Sequence, residues 1–386
     1  MHIVLVTNRL ITGEGQGRVN AEIARAASRE GHTVTCLAHD VENELLMEPG
    51  VEWTHMPDAN APFALLGNIR YAAATTRWLQ EYGDDADVVV ANGANTWNHV
   101  DVNIVHFVHS AWRASPVHDS QVRRDLYGSY QWLYSTVNAR AEHHALPRAR
   151  CVVPVSEKVR TELLGIGLPD DHLHVIHNGV DIEEFQPGQA DQTALGLPQG
   201  VSLGLFAGDI RTPRKGLDVL IQALEHVPNA HIAVAGRVDG SPYPALAERV
   251  GVGARVHFLD YRRDIPTLMQ AADFFAFPSR YEACSLVLLE AMAAGLPILT
   301  ARTAGGAELV AEEAGIVIDD PDDMDALVEA LSSLATSQSE WAEMSRAARA
   351  IAEANSWERM ASRYLALFEN LMHSRQTPRI ISASVA

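Results

Sequence analysis

This 386-residue chain predicts two doubly wound α/β domains facing a common cleft, on three observations. Strand-like apolar runs alternate with helical stretches, as parallel sheets with crossover helices require. The alternation occurs twice, at 2–7, 33–38, 87–91, 102–108 and 151–155, then at 201–207, 230–235, 255–259, 273–277 and 297–300. Between the two series, Gln186 to Gly200 is rich in Gln, Pro, Gly and Asp, the composition of a linker. The first domain is expected over 1–185 and the second over 186–355. Residues 376–386 read as a frayed tail.

The most informative segment is RYEACSLVLLEAMAAGLPIL, 280 to 299, with Glu282 and Glu290 eight positions apart. Ala283 and Cys284 suit a turn, and Ser285 suits a helix N-cap. Leu286 to Ala294 reads as a buried helix. Gly295 fits a left-handed C-cap and Pro297 a stop just beyond it. Were the whole segment helical, the two carboxylates would be separated by about 12 Å along the axis. Pairs that cleave one glycosidic bond stand roughly 5–9.5 Å apart. The spacing therefore suits gripping two parts of one extended ligand. The amino-terminal helix turn near Ser285 and Leu286 favours a phosphate between them. A helical Glu ordinarily faces water. Glu290, flanked by Leu288, Leu289, Ala291 and Met292, is costly to bury without a partner.

A second segment, LGLFAGDIRTPRKGLDVLIQAL at 203 to 224, reads as strand, basic loop and amphipathic helix. That order brings Arg211, Arg214 and Lys215 to the carboxyl edge of a parallel sheet, where ligands bind. Only two of the 30 Lys and Arg residues are lysines, Lys158 and Lys215.

With these residues in view, the chain resembles glycosyltransferase family 4, the retaining nucleotide-sugar transferases of GT-B fold. The resemblance covers nearly the whole sequence. It rests on HIVLVTN with GEGQGR, VVPVSEKVRTELL, VIHNGVDIEEFQP, the basic-loop segment, VHFLDYRRDIPTLMQAADFFAFPS, the E-x7-E segment and TAGGAELV. It implies that Glu282 holds donor-sugar hydroxyls, Glu290 holds the nucleotide ribose, and Lys215 with a nearby arginine neutralises the diphosphate. Backbone N–H groups around Ser285 and Leu286 would assist. Gly15 and Gly17 match the loop over the phosphates, His109 the histidine near the transferred sugar, and Arg262 the region near the base. The helices from Trp341 to Met372 would cross back, adding about 356–373 to the first domain.

Three departures stand out. Gly208-Asp209 replaces the usual Gly-Arg, so Arg211 is the candidate for the missing charge. Ala283-Cys284-Ser285 replaces Gly-Phe-Gly, which is expected to alter the floor beside the sugar. His106 competes with His109. In a strand, residues three apart face opposite sides, and His109 is favoured because it comes last before the loop.

Hexosyl transfer from a UDP- or GDP-sugar to a sugar or glycoconjugate hydroxyl is therefore expected. No metal and no cofactor beyond the donor are called for. The alternatives are a GT-B sugar-nucleotide isomerase and a catalytically silent sugar-nucleotide-binding protein. Composition agrees. The chain is 47% hydrophobic, enough for two cores, and has no 18-residue apolar run. The amino terminus reads as a first strand, not a signal peptide. Three scattered cysteines indicate a reducing cytoplasm. The net charge of −19 argues against nucleic acid. Residues 121–150 are basic and aromatic, which suits an amphipathic helix packing its rings inside better than a membrane-surface contact. A homodimer is compatible with all of this.

Overall fold

In the computed structural model, which describes residues 1–59, 63–336 and 340–376, the chain folds around two parallel sheets. The first sheet comprises β1 (His2–Val6), β2 (Thr33–Ala38), β3 (Val51–His55), β4 (Val88–Asn92), β5 (Val100–Val105) and β6 (Ala149–Pro154). The second comprises β7 (Ser202–Ala207), β8 (Ala230–Ala235), β9 (Val256–Phe258), β10 (Phe274–Phe277), β11 (Ile298–Ala301) and β12 (Gly315–Ile318). Both have the order 3-2-1-4-5-6, counting strands within each sheet. That is the doubly wound order with a topological switch point between its first and fourth strands, where ligands bind beyond the carboxyl ends. The expected tail at 376–386 lies, from 377 onward, outside the described residues.

The strands are apolar throughout because both faces are covered. All six residues of β5 and of β7 are buried. Each sheet carries its own core. Core membership changes between Ile176, in the first, and Val180, in the second, ahead of the boundary expected at 185. The linker segment is tied to the second domain, with the Gln270 side chain donating to the Gln186 carbonyl at 3.1 Å and Leu197 buried.

The structure departs from the expected elements in places with physical causes. β3 and β12 were not anticipated. β3 is an edge strand with Glu52, Trp53 and His55 exposed, so its sequence VEWTH lacks a buried strand's apolar run. β12 has four residues, too few for periodicity to register. β5 ends at Val105 instead of running to 108, and no helix separates it from β4. The Asn103 amide instead holds the short connection, accepting from the Gly93 N–H and donating to the Gly93 carbonyl, both at 2.8 Å.

The helix Trp341–Ala354 packs on the helix Leu286–Ala293 of the second domain, anchored by Arg349 donating to the Ala293 carbonyl at 2.8 Å. At Asn355–Ser356 the chain turns, and Trp357–Gln376 lies on the helix Gly15–Arg29 of the first domain. Met360, Tyr364 and Phe368 from it enter that core. The turn is stitched to the outgoing crossing by Val180 N–H to Asn355 O (3.1 Å) and Trp357 N–H to Val180 O (3.2 Å).

Candidate functional site

At the switch point of the second sheet, β7 and β10 pair side by side and their following loops meet. The β7 loop ends in a tight turn, Pro213–Lys215, closed by Gly216 at φ 77°. A side chain at Gly216 would collide with the Pro278 carbonyl of the β10 loop, so only glycine permits this approach. The loops are zipped together. The Arg280 N–H donates to the Arg214 carbonyl at 2.8 Å, and the Ser279 hydroxyl to the same carbonyl at 3.0 Å. Arg280 is clamped in turn by Asp218 (2.8 Å) and Asp322 (2.6 Å).

This zip delivers Lys215 to Glu282. The ammonium pairs directly with Glu282 Oε1, and Arg214 Nη2 lies 3.6 Å from the same oxygen. Both Lys215 and Glu282 are largely buried, with side chains 12% and 13% exposed. Burial holds the Lys215 pKa below its ordinary value, and Glu282 opposes that shift. The backbone at Glu282 is fixed from the other side, where the Gly305 N–H of the TAGG loop donates to its carbonyl at 3.0 Å.

The cavity beside this group, about 610 Å³, is also lined by Gly208, Gly236, Arg262, Leu286 and Glu290. Glu290 lies in the middle of the helix Leu286–Ala293. Burial pushes its carboxyl up to about 7, helped by Glu184 and opposed by Arg18. No hydrogen bond or ion pair to this carboxylate occurs among the described residues. Arg18 is engaged elsewhere, with Asp181 at 3.2 Å and stacked 5.4 Å from the Trp357 ring.

Several expected positions fall differently. Arg211, the candidate substitute for the missing charge, lines the cavity but pairs with Asp209 at 2.9 Å and is half-exposed. Arg214 is the arginine that approaches Glu282. Arg262 lines the cavity while bound to Asp264 at 2.7 Å. Ser285 occupies the N-cap, but its side chain makes no cap bond and its N–H is taken by the Gly305 carbonyl at 2.9 Å. The amino-terminal helix donors beside the cavity therefore begin at Leu286. Ala283 and Cys284 do not floor this cavity. They pack against the core of the first domain, and burial raises the Cys284 thiol to about 12.

A second cavity, about 330 Å³, sits at the equivalent switch point of the first sheet, where Asn8 and Gln16 follow β1 and Asn92 ends β4. Gly15 and Gly17 form the first helical turn of Gly15–Arg29, not an open loop. A Cβ at Gly17 would stand 2.8 Å from the Ile11 carbonyl, and one at Gly15 would touch Leu286 at 3.4 Å. Gly15 is thus where the first domain meets the helix Leu286–Ala293. His109 begins a helix, His109–Ala114, so the strand alternation does not apply and His106 and His109 line the same cavity. Burial lowers their pKa values to about 3 and about 4. His109 is therefore neutral at pH 7. Its backbone N–H donates to Glu142 at 3.0 Å.

Glu142 was not legible. Its side chain is 6% exposed, and burial pushes its carboxyl up to about 8. In sequence it is an ordinary helical acid among arginines and histidines. Nothing in the sequence marks Tyr281 either, although it precedes Glu282. The first domain encloses its ring: Trp112 at 4.9 Å, Phe107 at 5.8 Å and the Lys158 ammonium at 3.8 Å, with its hydroxyl donating to Glu162 at 3.3 Å. Ser156 adds a 2.6 Å bond to the Ala283 carbonyl.

Two Rossmann-like domains, each a six-stranded parallel sheet of the same strand order, place the fold in the GT-B class. Residues 13–184 match the family described as Glycosyltransferase Family 4, and residues 202–337 the one described as Glycosyl transferases group 1. The chain belongs to the family 4 glycosyltransferases. The D-inositol 3-phosphate glycosyltransferase of Mycobacterium avium (strain 104) is 34% identical over 242 residues, 60% of this chain and 57% of its own length. The chain thus spans little more than half of that relative. Sucrose-phosphate synthase from Thermosynechococcus elongatus shares the fold, with TM-score 0.77 at 19% identity over 97% of this chain and 99% of that one. So does HepE of Anabaena in complex with UDP, with TM-score 0.71 at 22% identity over 96% and 100%.

Proposed function

We propose that the chain transfers a hexosyl group from a nucleotide-diphosphate sugar to an acceptor hydroxyl, with retention and without a divalent metal. The observation that carries this reading is the convergence of Lys215 and Arg214 on Glu282 at a sheet switch point, in a cavity that Glu290 also lines. A departing diphosphate gathers negative charge as the sugar–oxygen bond breaks. Preplaced cations in a dry site stabilise that charge without reorganising. Lys215 and Arg214 would fill this role, and Glu282 would hold sugar hydroxyls between them and the acceptor side. Glu290 would accept from the ribose hydroxyls, which favours its ionised form.

The acceptor would enter through the first-domain cavity and attack on the face the diphosphate vacates, a phosphate oxygen taking its proton. His109, neutral at pH 7, would offer a hydrogen bond and no charge. Uridine diphosphate hexoses are the first donors to test, because HepE was solved with UDP-glucose. D-inositol 3-phosphate is the first acceptor to test, from the name of the relatives.

The experiment is a thermal-shift screen of UDP- and GDP-sugars, followed by product analysis with and without acceptor in the presence of EDTA. Stabilisation by a nucleotide sugar and EDTA-resistant transfer with retained anomeric configuration are expected. Conversion without acceptor would favour an isomerase. Binding with no turnover on any acceptor would favour a silent binding protein.

A further inference from the structure

Resting on the reading of the His109 cavity as the acceptor side, we infer that this cavity selects an uncharged polyhydroxylated ring over a phosphorylated one, the ring lying against Trp97 with its hydroxyls on Asn95 and the two cavity histidines. Trp97 and Asn95 sit on the short connection between β4 and β5, and both line the cavity. The backbone of that connection is bonded out along its length. The hydroxyl of buried Thr75 donates to the Asn95 carbonyl at 2.6 Å. The Trp97 N–H donates to the Thr76 hydroxyl at 2.9 Å, and the Trp97 carbonyl accepts from Arg148 at 3.0 Å. The Asn98 amide donates to the Thr76 carbonyl at 3.0 Å.

The main chain is thus fixed while two side chains are left open. Asn95 makes no side-chain hydrogen bond among the described residues. The Trp97 ring is 50% exposed, and its indole N–H has no acceptor among the described residues. An exposed indole by itself needs no explanation. One held rigidly on a cavity wall beside an unspent amide offers an apolar face and hydrogen-bonding groups together. A sugar or cyclitol ring has the matching surface, with C–H bonds on its faces and hydroxyls around its edge.

Charge decides which ring. The cavity of the second domain is lined by Arg211, Lys215, Arg237 and Arg262. The cavity of the first has, among the described residues, a single arginine, Arg9. Its Nη1 already pairs with Glu14 at 2.6 Å, and Asp40 and Asp58 also offset its charge. Its Nε, buried and without a partner among the described residues, is left for one hydroxyl. Glu14, itself on the cavity wall, would repel a phosphate. The other polar groups are neutral. Asn8, Gln16, Asn68, Asn92 and Asn138 bring amides. His106 Nε2 and His109 Nδ1 are buried with no partner among the described residues, so each can exchange one hydrogen bond with a hydroxyl. Burial keeps both rings uncharged at pH 7 and Glu142 protonated below about 8. A phosphate brings about two negative charges at that pH. With the one cation offset by three acids, that charge would give up its hydration uncompensated. A hydroxyl gives up far less and finds amides and imidazoles in return.

The test is binding to, and transfer by, the full chain with matched probes. Methyl glucoside, methyl mannoside and myo-inositol are set beside glucose 6-phosphate, mannose 6-phosphate and D-inositol 3-phosphate, with UDP titration in parallel. The neutral probes should bind, and each phosphorylated probe should be at least about tenfold weaker than its neutral counterpart. W97A should weaken the neutral probes about tenfold, and W97F should restore most of that loss. N95K should shift the ratio at least about threefold toward the phosphorylated probes. UDP affinity should stay unchanged in all three variants. A phosphorylated probe that matches its neutral counterpart overturns the proposal, as does failure of every neutral probe or a W97A variant that binds them as wild type does. UDP binding with the phosphorylated probes preferred defeats the selection alone, and neutral-ring binding without UDP binding defeats the transferase reading alone.

Discussion

The Glu142 carboxyl accepts the backbone N–H of His109 at 3.0 Å, joining a buried acid to the first residue of a helix that lines the first-domain cavity. Burial raises this carboxyl to about 8, so the native state keeps a proton that the unfolded chain releases near its ordinary pKa of 4.5. The contribution of this group to stability is then greatest below about 4.5 and falls as pH rises toward 8, by at most about 1.4 kcal/mol per pH unit. Glu142→Gln should flatten that slope and keep a hydrogen-bond acceptor. Urea unfolding at a series of pH values between 5 and 8 measures it. An unchanged pH slope in the variant would place the carboxyl's titration elsewhere.

Glu282→Ala should remove transfer while leaving nucleotide affinity within about threefold, since the loss falls on the sugar end of the site. It also strands Lys215 in a largely buried position. Breaking such a pair is destabilising by about 3 kcal/mol. Substituting Lys215→Met in the same chain should recover much of that stability without recovering transfer. Calorimetric titration, melting curves and a product assay separate the three effects.

Glu290→Gln should weaken nucleotide binding about tenfold, the worth of a hydrogen bond to a charged group. It should have the opposite effect on the free protein. Glu290 carries a pKa raised to about 7, so its ionised form is penalised above that pH, and the amide should stabilise the fold at pH 8 more than at pH 5. A variant that binds UDP as tightly as wild type would remove Glu290 from the nucleotide site.

Tyr281→Phe should retain the ring contacts with Trp112, Phe107 and Lys158 and lose only the bond to Glu162. Its donor KM should rise less than about threefold. Tyr281→Ala empties the enclosure and should raise KM and lower the melting temperature together, because the donor loop is then held to the first domain chiefly through Ser156 and Ala283. Equal effects of the two substitutions would mean that the ring itself does not hold the domains.

Gly216→Ala should fail at once in two ways, through a left-handed backbone costing about 1–2 kcal/mol and a collision with the Pro278 carbonyl. Relief requires the two loops to part, and that separates Lys215 from Glu282. Nucleotide binding should fall more than melting temperature does, whereas a purely structural glycine would show the reverse. Ligand titration on the soluble fraction distinguishes them.

Much of this architecture is legible in the sequence. The alternation of apolar runs and helices follows from covering a parallel sheet on both faces. The helix stop at Gly295, with φ of 74°, follows from backbone sterics. The basic loop at 211–215 was legible as a loop at the carboxyl edge of a sheet, whereas its meeting with Glu282 depends on the pairing of β7 with β10. Edge strand β3 was not legible, since its exposed face suppresses the pattern on which strand recognition depends.

The sequence by itself determined the doubly wound domains, the spacing of Glu282 and Glu290, and the presence of Lys215 at a loop that follows a strand. These are properties of short stretches governed by periodicity, propensity and turn chemistry. Only the tertiary structure decided that Arg214 faces Glu282 while Arg211 turns to Asp209, that Cys284 leans on the opposite domain, and that Glu142 lies buried beneath His109. Each of these depends on which distant segments exclude water from a side chain. Desolvation and partner choice set its charge state, and neither can be read from the residues beside it in the chain.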